Sequence, residues 1–85
     1  MSASTIVLYQ TDWCSYCARV REGLDRLGLA YDVVNVPDEP EDRSDVRRTF
    51  GVTGVPSLVD GDVKIADDDD AILAYLNETY GPRKR

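Results

Sequence analysis

Apolar positions along the chain group into short stretches that switch between the period of a strand and the period of a helix. Thr5-Ile6-Val7-Leu8-Tyr9 is β-branched and aromatic, apolar almost throughout, and predicts a buried strand. From Ala18 to Leu27 the apolar residues Val20, Leu24 and Leu27 recur at helical spacing, with Arg19, Arg21, Glu22 and Arg26 mostly outward; Gly28 is placed to stop that helix. Tyr31 to Val36 predicts a second strand, and the acidic, turn-rich Pro37-Asp38-Glu39-Pro40-Glu41 follows it. Asp42 to Phe50 predicts a short helix with Val46 and Phe50 inward, ended by Gly51. Val52 to Val59 contains a strand, and Asp60-Gly61 is a strong hairpin signal before Val63 to Ile65. Asp67 to Asp70 leads into a last helix with Ile72, Leu73, Leu76 and Tyr80 as its apolar face, ended by Gly81-Pro82.

The predicted order is β-α-β-α-β-β-α. A strand–helix–strand unit with so short a connection implies a parallel pair and a right-handed crossover, while the tight hairpin makes the last two strands antiparallel. The expectation is an α/β fold: a four-stranded mixed sheet with helices on both faces, burying the continuous apolar strands.

Composition bounds the function. Eighty-five residues suggest one domain over 1–85, with a core of about 5–81 and a short basic tail at 82–85. Hydrophobic and charged fractions of 42% and 31% are ordinary for a soluble globular chain. A formal charge of −6 argues against nucleic-acid binding. No apolar run approaches a membrane span, and the N-terminus lacks the features of a signal peptide, so the expected location is cytoplasmic. The acids are mostly Asp, and Lys64 and Lys84 are the only lysines, the balance that a protein adapted to high salt tends to show; a halophilic source and an ordinary one both fit.

The chemistry lies in Thr11-Asp12-Trp13-Cys14-Ser15-Tyr16-Cys17, which holds both cysteines of the chain. A structural disulfide between neighbours so close would remove little unfolded-state entropy. A usual four-ligand zinc site cannot be assembled by one chain with two cysteines and no histidine. A CxxC after a strand and opening a helix is a redox signal, and in the cytoplasm it points to a transient, catalytic disulfide. Cys14 at the first turn of a helix would have its thiolate favoured by free N–H groups and the helix dipole. Cys17, one turn later on the same face, is placed to close a disulfide with it.

With these motifs in place, the chain resembles the glutaredoxin-like small redoxins of the thioredoxin-fold superfamily from Thr5 to Gly81. Three motifs carry the resemblance: Trp13-Cys14-Ser15-Tyr16-Cys17 followed by Arg19, then Gly54-Val55-Pro56-Ser57-Leu58, then Asp67-Asp68-Asp69-Asp70 opening the last helix. The resemblance implies a thiol–disulfide oxidoreductase, a cis Pro56 facing the cysteines, and Val55 backbone groups that pair with an extended thiol substrate. It further implies that Asp69, with Asp68 before it and Asp70 after, meets the γ-glutamyl end of glutathione; capping of the last helix explains these acids equally well. Trp13 and Tyr16 would form an apolar rim. No cofactor is required on this reading, the chain works as a monomer, and its partners are a small thiol, disulfide-containing proteins and, as one candidate donor of electrons, a reductase.

Several positions depart from the pattern. Thr11 stands where many glutaredoxins have a basic residue, Ser15 replaces the usual proline, and Val52-Thr53-Gly54-Val55-Pro56 looks more like the loop of thioredoxin. An acidic rim also repels anionic glutathione. Another small thiol fits almost as well, and the start of the last helix is similar to the N-terminal domain of glutathione transferases. Ser15 keeps one rival open: a dimeric [2Fe–2S] carrier, with Cys14 from each chain and two small thiols as ligands.

Overall fold

The apolar run after Thr5 becomes strand β1 (Ile6–Gln10), whose residues alternate between a sealed face and a partly covered one. In the computed structural model, which describes residues 5–81, β1 is followed by helix α1 (Ser15–Arg26), β2 (Asp32–Asn35), α2 (Ser44–Phe50), β3 (Ser57–Asp60), β4 (Val63–Ile65) and α3 (Asp69–Tyr80). The basic end Arg83-Lys84-Arg85 and Pro82 lie outside the described residues. The sheet order is β2-β1-β3-β4, with β1 parallel to β2 and the other pairs antiparallel. This is the mixed four-stranded sheet with three helices that the pattern predicts.

One face of the sheet carries the core. Ile6 and Leu8 of β1 and Leu58 of β3 pack with Val20 and Leu24 of α1 and Ile72 and Leu76 of α3. Tyr9, pointing to the other face, meets Phe50 of α2 edge to face with ring centroids 5.3 Å apart. Helices therefore cover both faces of the central strands.

Some boundaries differ from the expectation. Helix α1 begins at Ser15 and not at Ala18, so Cys17 lies inside it. The Asp42–Phe50 segment splits: Pro40–Asp42 forms a single 3₁₀ turn, and Arg43, with φ −94° and ψ 59°, separates it from α2. Burial of all four apolar strands holds only for the central pair. Val33 of β2 and Val63 of β4 are 41% and 37% exposed, because three short helices cover the sheet's middle and leave its edges open. Gly28 does stop α1: at φ 70° its N–H bonds Asp25 O and that of Leu29 bonds Leu24 O, the paired bonds of a Schellman ending.

Strand direction gathers the functional segments at one end. β1 and β2 are parallel, so the Cys14 turn and the Pro37–Asp38 loop both leave the sheet at the same end. β3 runs the opposite way and so starts there, just after Pro56; β4 runs back and delivers Asp67–Asp70 to the same end.

Candidate functional site

Four loops thus meet around Cys14. Cys14 is the N-cap of α1, with extended backbone angles (φ −83°, ψ 121°), one residue before the helical turn expected for it; its carbonyl accepts the Ala18 N–H at 3.1 Å. Cys14 is a free, partly exposed thiol at the N-cap, beside the free N–H groups of the first turn, although its side chain makes no capping hydrogen bond to them. Cys17 has no exposed surface. Burial pushes its thiol up to about 11, with a hydrogen bond and charge shared with Cys14 adding to the rise; the Thr11 backbone and, more weakly, Arg21 act against it.

Trp13 and Tyr16, beside the two cysteines, are 67% and 58% exposed. Trp13 is not loose: its Nε1 donates to Asp38 Oδ1 at 2.8 Å. Asp38 is itself held through its carbonyl. The buried Arg43 donates from Nη2 to Asp38 O (2.9 Å), from Nε to Pro37 O (2.6 Å) and from Nη1 to Thr53 O (3.0 Å).

Thr53 begins the loop that ends in Pro56, and the Val55–Pro56 peptide is cis. Val55 and Pro56 lie just before the ladder, whose β1–β3 register begins at Tyr9 opposite Ser57. The sealed hydroxyl of Ser57 donates to Gly54 O at 2.8 Å and accepts from Asp67 N at 3.0 Å, tying this loop to the start of α3. Gly54 lies close under the Asp67 carboxylate: a Cβ would stand 2.1 Å from its carboxyl carbon, so a larger residue would have to turn that side chain away.

The three acids at the start of α3 divide two tasks. Asp68 is the N-cap, its Oδ1 accepting the Ala71 N–H at 3.0 Å. Asp69 and Asp70 both accept from Arg19 Nη1 on α1, the latter at 3.1 Å. Capping is therefore realised by Asp68, and the charged group that meets Asp69 and Asp70 is Arg19 of the chain itself.

Sequence reasoning missed Arg43, Asp38 and Ser57. Ser57 is adjacent to Pro56 in a motif already singled out, so its neighbourhood was visible. Nothing in the pattern of Arg43 separates it from the surface arginines of α2. The buried polar group beside the cysteines was also unforeseen: Gln10 donates to Asn35 Oδ1 (2.6 Å) and Asp12 Oδ1 (3.1 Å) and accepts from Arg21. Thr11, 2% exposed, has a hydroxyl with no protein partner. Among the described residues, no group of three or more His, Cys, Asp or Glu side chains is arranged to hold a metal ion. A cluster on Cys14 would need a second chain and outside thiols.

The sheet order, the helix placement and the thiols at the head of α1 put the chain in the thioredoxin-like α/β class of thiol-handling proteins. A family model described as Glutaredoxin matches residues 6–65, and the chain belongs to that family. It is 34% identical over 65 residues to a glutaredoxin of Pseudomonas aeruginosa, covering 76% of this chain and 77% of that one. It is 42% identical over 38 residues to mycoredoxin 1 of Corynebacterium glutamicum, covering 45% and 46% of the two chains. In structure it is similar to a glutathione transferase homologue of Drosophila mojavensis solved with bound glutathione, with a TM-score of 0.81 and 33% identity. That match covers 89% of this chain but only 35% of the transferase homologue. Thiol–disulfide oxidoreduction is the general activity these relatives support.

Proposed function

We propose that this chain reduces protein disulfides, or mixed disulfides with a small thiol, through the Cys14–Cys17 dithiol. The Cys14 thiolate attacks one sulfur of the substrate disulfide; a Cys14–substrate disulfide forms, and the other sulfur leaves and takes a proton. Cys17 then gives up its proton and attacks Cys14, releasing the second substrate thiol. The protein has lost two electrons and holds a Cys14–Cys17 disulfide; the substrate has gained them as two thiols. Glutathione, another small thiol or a reductase returns the electrons.

The observation that carries this reading is the unequal setting of the two sulfurs. Cys14 is partly exposed at a helix start, whereas Cys17 is sealed with its pKa pushed up to about 11. The outer sulfur is reactive and the inner one waits until a disulfide is brought against it. Val55 and Pro56 dock the partner, Trp13 and Tyr16 border it, and Asp68, Asp69 and Asp70 face the polar end of a small thiol. The protein acts as a monomer in the cytoplasm. Among the described residues no helix is long and apolar enough to cross a membrane.

The test is single-turnover oxidation of the reduced protein by 2-hydroxyethyl disulfide. Cys14→Ser should abolish it. Cys17→Ser should stop at a stable adduct of one mercaptoethanol on Cys14, seen by mass spectrometry. Reaction that survives in Cys14→Ser would refute the assignment.

A further inference from the structure

Arg43 is buried, 5% exposed, and directs its whole fork at main-chain carbonyls: Pro37, Asp38 and Thr53 at 2.6, 2.9 and 3.0 Å. A buried guanidinium is costly unless its donors are satisfied, so a sequence that keeps one invites the question of what it holds. The three carbonyls belong to two different loops. Pro37 and Asp38 follow β2; Thr53 opens the loop that leads to Val55 and Pro56. The Asp38 side chain then accepts from the indole of Trp13, the residue beside Cys14. A continuous path of bonds therefore runs from the cysteine turn through Trp13, Asp38 and Arg43 to Thr53, with Ser57 carrying it on from Gly54 to Asp67.

We propose that Arg43 is a positioning residue that sets the groove between Trp13 and the Thr53–Pro56 loop, and so governs reaction with extended polypeptide disulfides while leaving small disulfides alone. The inference rests on the reading of Cys14 as nucleophile and of Val55 as a docking edge. A polypeptide must lie along that edge and under the tryptophan at once, so it feels the spacing of the two walls. A small disulfide needs only the sulfur of Cys14, whose setting at the start of α1 involves no bond to Arg43. Lysine cannot substitute, because one ammonium on a flexible stem does not reproduce a planar fork aimed at three separate carbonyls.

The experiment uses two oxidants that both carry mercaptoethanol: 2-hydroxyethyl disulfide, and a decapeptide with one central cysteine held in a mixed disulfide with mercaptoethanol. The mass of the adduct on Cys14 tells which sulfur is attacked and which thiol leaves. Second-order rate constants for oxidation of the reduced protein are measured for wild type, Arg43→Lys and Asp38→Ala, with Trp13 fluorescence anisotropy and thermal melting alongside. In Arg43→Lys the peptide rate should fall about tenfold, since hydrogen bonds to a charged donor are lost. The small-disulfide rate should stay within about twofold, and Trp13 anisotropy should drop. Asp38→Ala removes an exposed side chain and only the link to Trp13; it should melt as wild type does and show the same selective loss at smaller size.

A peptide rate unchanged in the folded variants, or both oxidants slowed by one factor, would overturn the proposal. If Arg43→Lys does not fold, the peptide-to-small ratio of Asp38→Ala decides alone, and an unchanged ratio overturns it. A wild-type protein inert to both oxidants would instead strike down the function proposed for Cys14, and this inference with it.

Discussion

Cys14 and Cys17 stand one helical turn apart in opposite surroundings: the first is the partly exposed N-cap of α1, the second has no exposed surface. Burial is the main reason that the Cys17 thiol is raised to about 11. A raised thiol pKa means that the reactive form is scarce at neutral pH. At pH 8, with a pKa of about 11, on the order of one Cys17 in a thousand is thiolate.

Labelling should show this directly. In a Cys14→Ser variant the burial that chiefly raises Cys17 remains while the Cys14 charge is gone, so alkylation by iodoacetamide should still rise about tenfold for each pH unit from 8 upward and level off only above pH 9. In the wild-type reduced protein, a brief exposure at mildly acidic pH should label Cys14 first, as peptide mass spectrometry would reveal. A Cys17 rate that is already level by pH 9 would contradict the sealed setting.

The sheet was legible, and the candidate chemistry could be named, because both readings start from patterning. The apolar run Ile6–Leu8, the helical spacing of Val20 and Leu24, and the Asp60-Gly61 hairpin each answer to a local rule, and together they point to a mixed sheet with a parallel first pair and an antiparallel last pair. The CxxC was legible because few alternatives survive two cysteines without histidine. What escaped was long-range polar pairing. Arg43 and Arg48 look alike in sequence, yet the first reaches three carbonyls across two loops while the second bonds Asp45 on the surface at 2.8 Å. Only the closure of the fold distinguishes them. The exposure of Val33 and Val63 was hidden for a similar reason, since a strand's own sequence does not say whether it ends at an edge.

Ser57 offers a sharp test of the loop geometry. Its hydroxyl serves Gly54 O and Asp67 N together, so Ser57→Ala leaves a half-buried carbonyl and a neighbouring N–H without that partner. The cost should be about 1–3 kcal/mol of stability by denaturant unfolding. Because Asp67 then loses its tie to Gly54, reaction with the peptide disulfide should slow more than reaction with 2-hydroxyethyl disulfide. A variant as stable as wild type would mean that water replaces the hydroxyl at no cost.

The far end of the sheet carries a separate pH dependence. Asp60 accepts from Thr5 Oγ1 and Tyr75 OH, each at 2.6 Å, and from Tyr80 OH. Burial alone would raise its carboxyl, but the three donors outweigh burial and hold it below the ordinary 3.8. Its stabilisation is therefore present above pH 3.8 and is lost as pH falls through the lower, folded value. The bond to Asp60 raises Tyr75 to about 12 from an ordinary 10, so this contribution is present below pH 10 and disappears as pH climbs through about 12. Asp60→Asn should lower stability at pH 7 by about 1–3 kcal/mol and flatten both limbs of the pH–stability curve. Exchange rates should hold within about twofold, since this cluster sits at the opposite end of the sheet from Cys14. A loss of activity without loss of stability would show that the two ends are coupled.

The ion pair between α1 and α3 bears on which thiol the site accepts. Asp68 is engaged in capping, while Asp69 and Asp70 are both held by Arg19, whose own pKa is raised by the Asp70 bond foremost. An ammonium arriving at these carboxylates therefore has to compete with a guanidinium already there. Removing the competitor in Arg19→Gln should lower the KM for glutathione, which carries an ammonium at its γ-glutamyl end, by about two- to fivefold, the modest size expected of a solvent-exposed pair. Glutathione acetylated on that nitrogen has no ammonium to offer and should gain nothing. The comparison belongs at about 0.15 M salt, where the Debye length is about 8 Å and the variant's extra negative charge is mostly screened. Arg19→Lys should behave as wild type, because it restores the charge. An equal change in KM for both thiols would show that Arg19 acts through net charge alone, and no change for either would place the thiol's polar end away from Asp69 and Asp70.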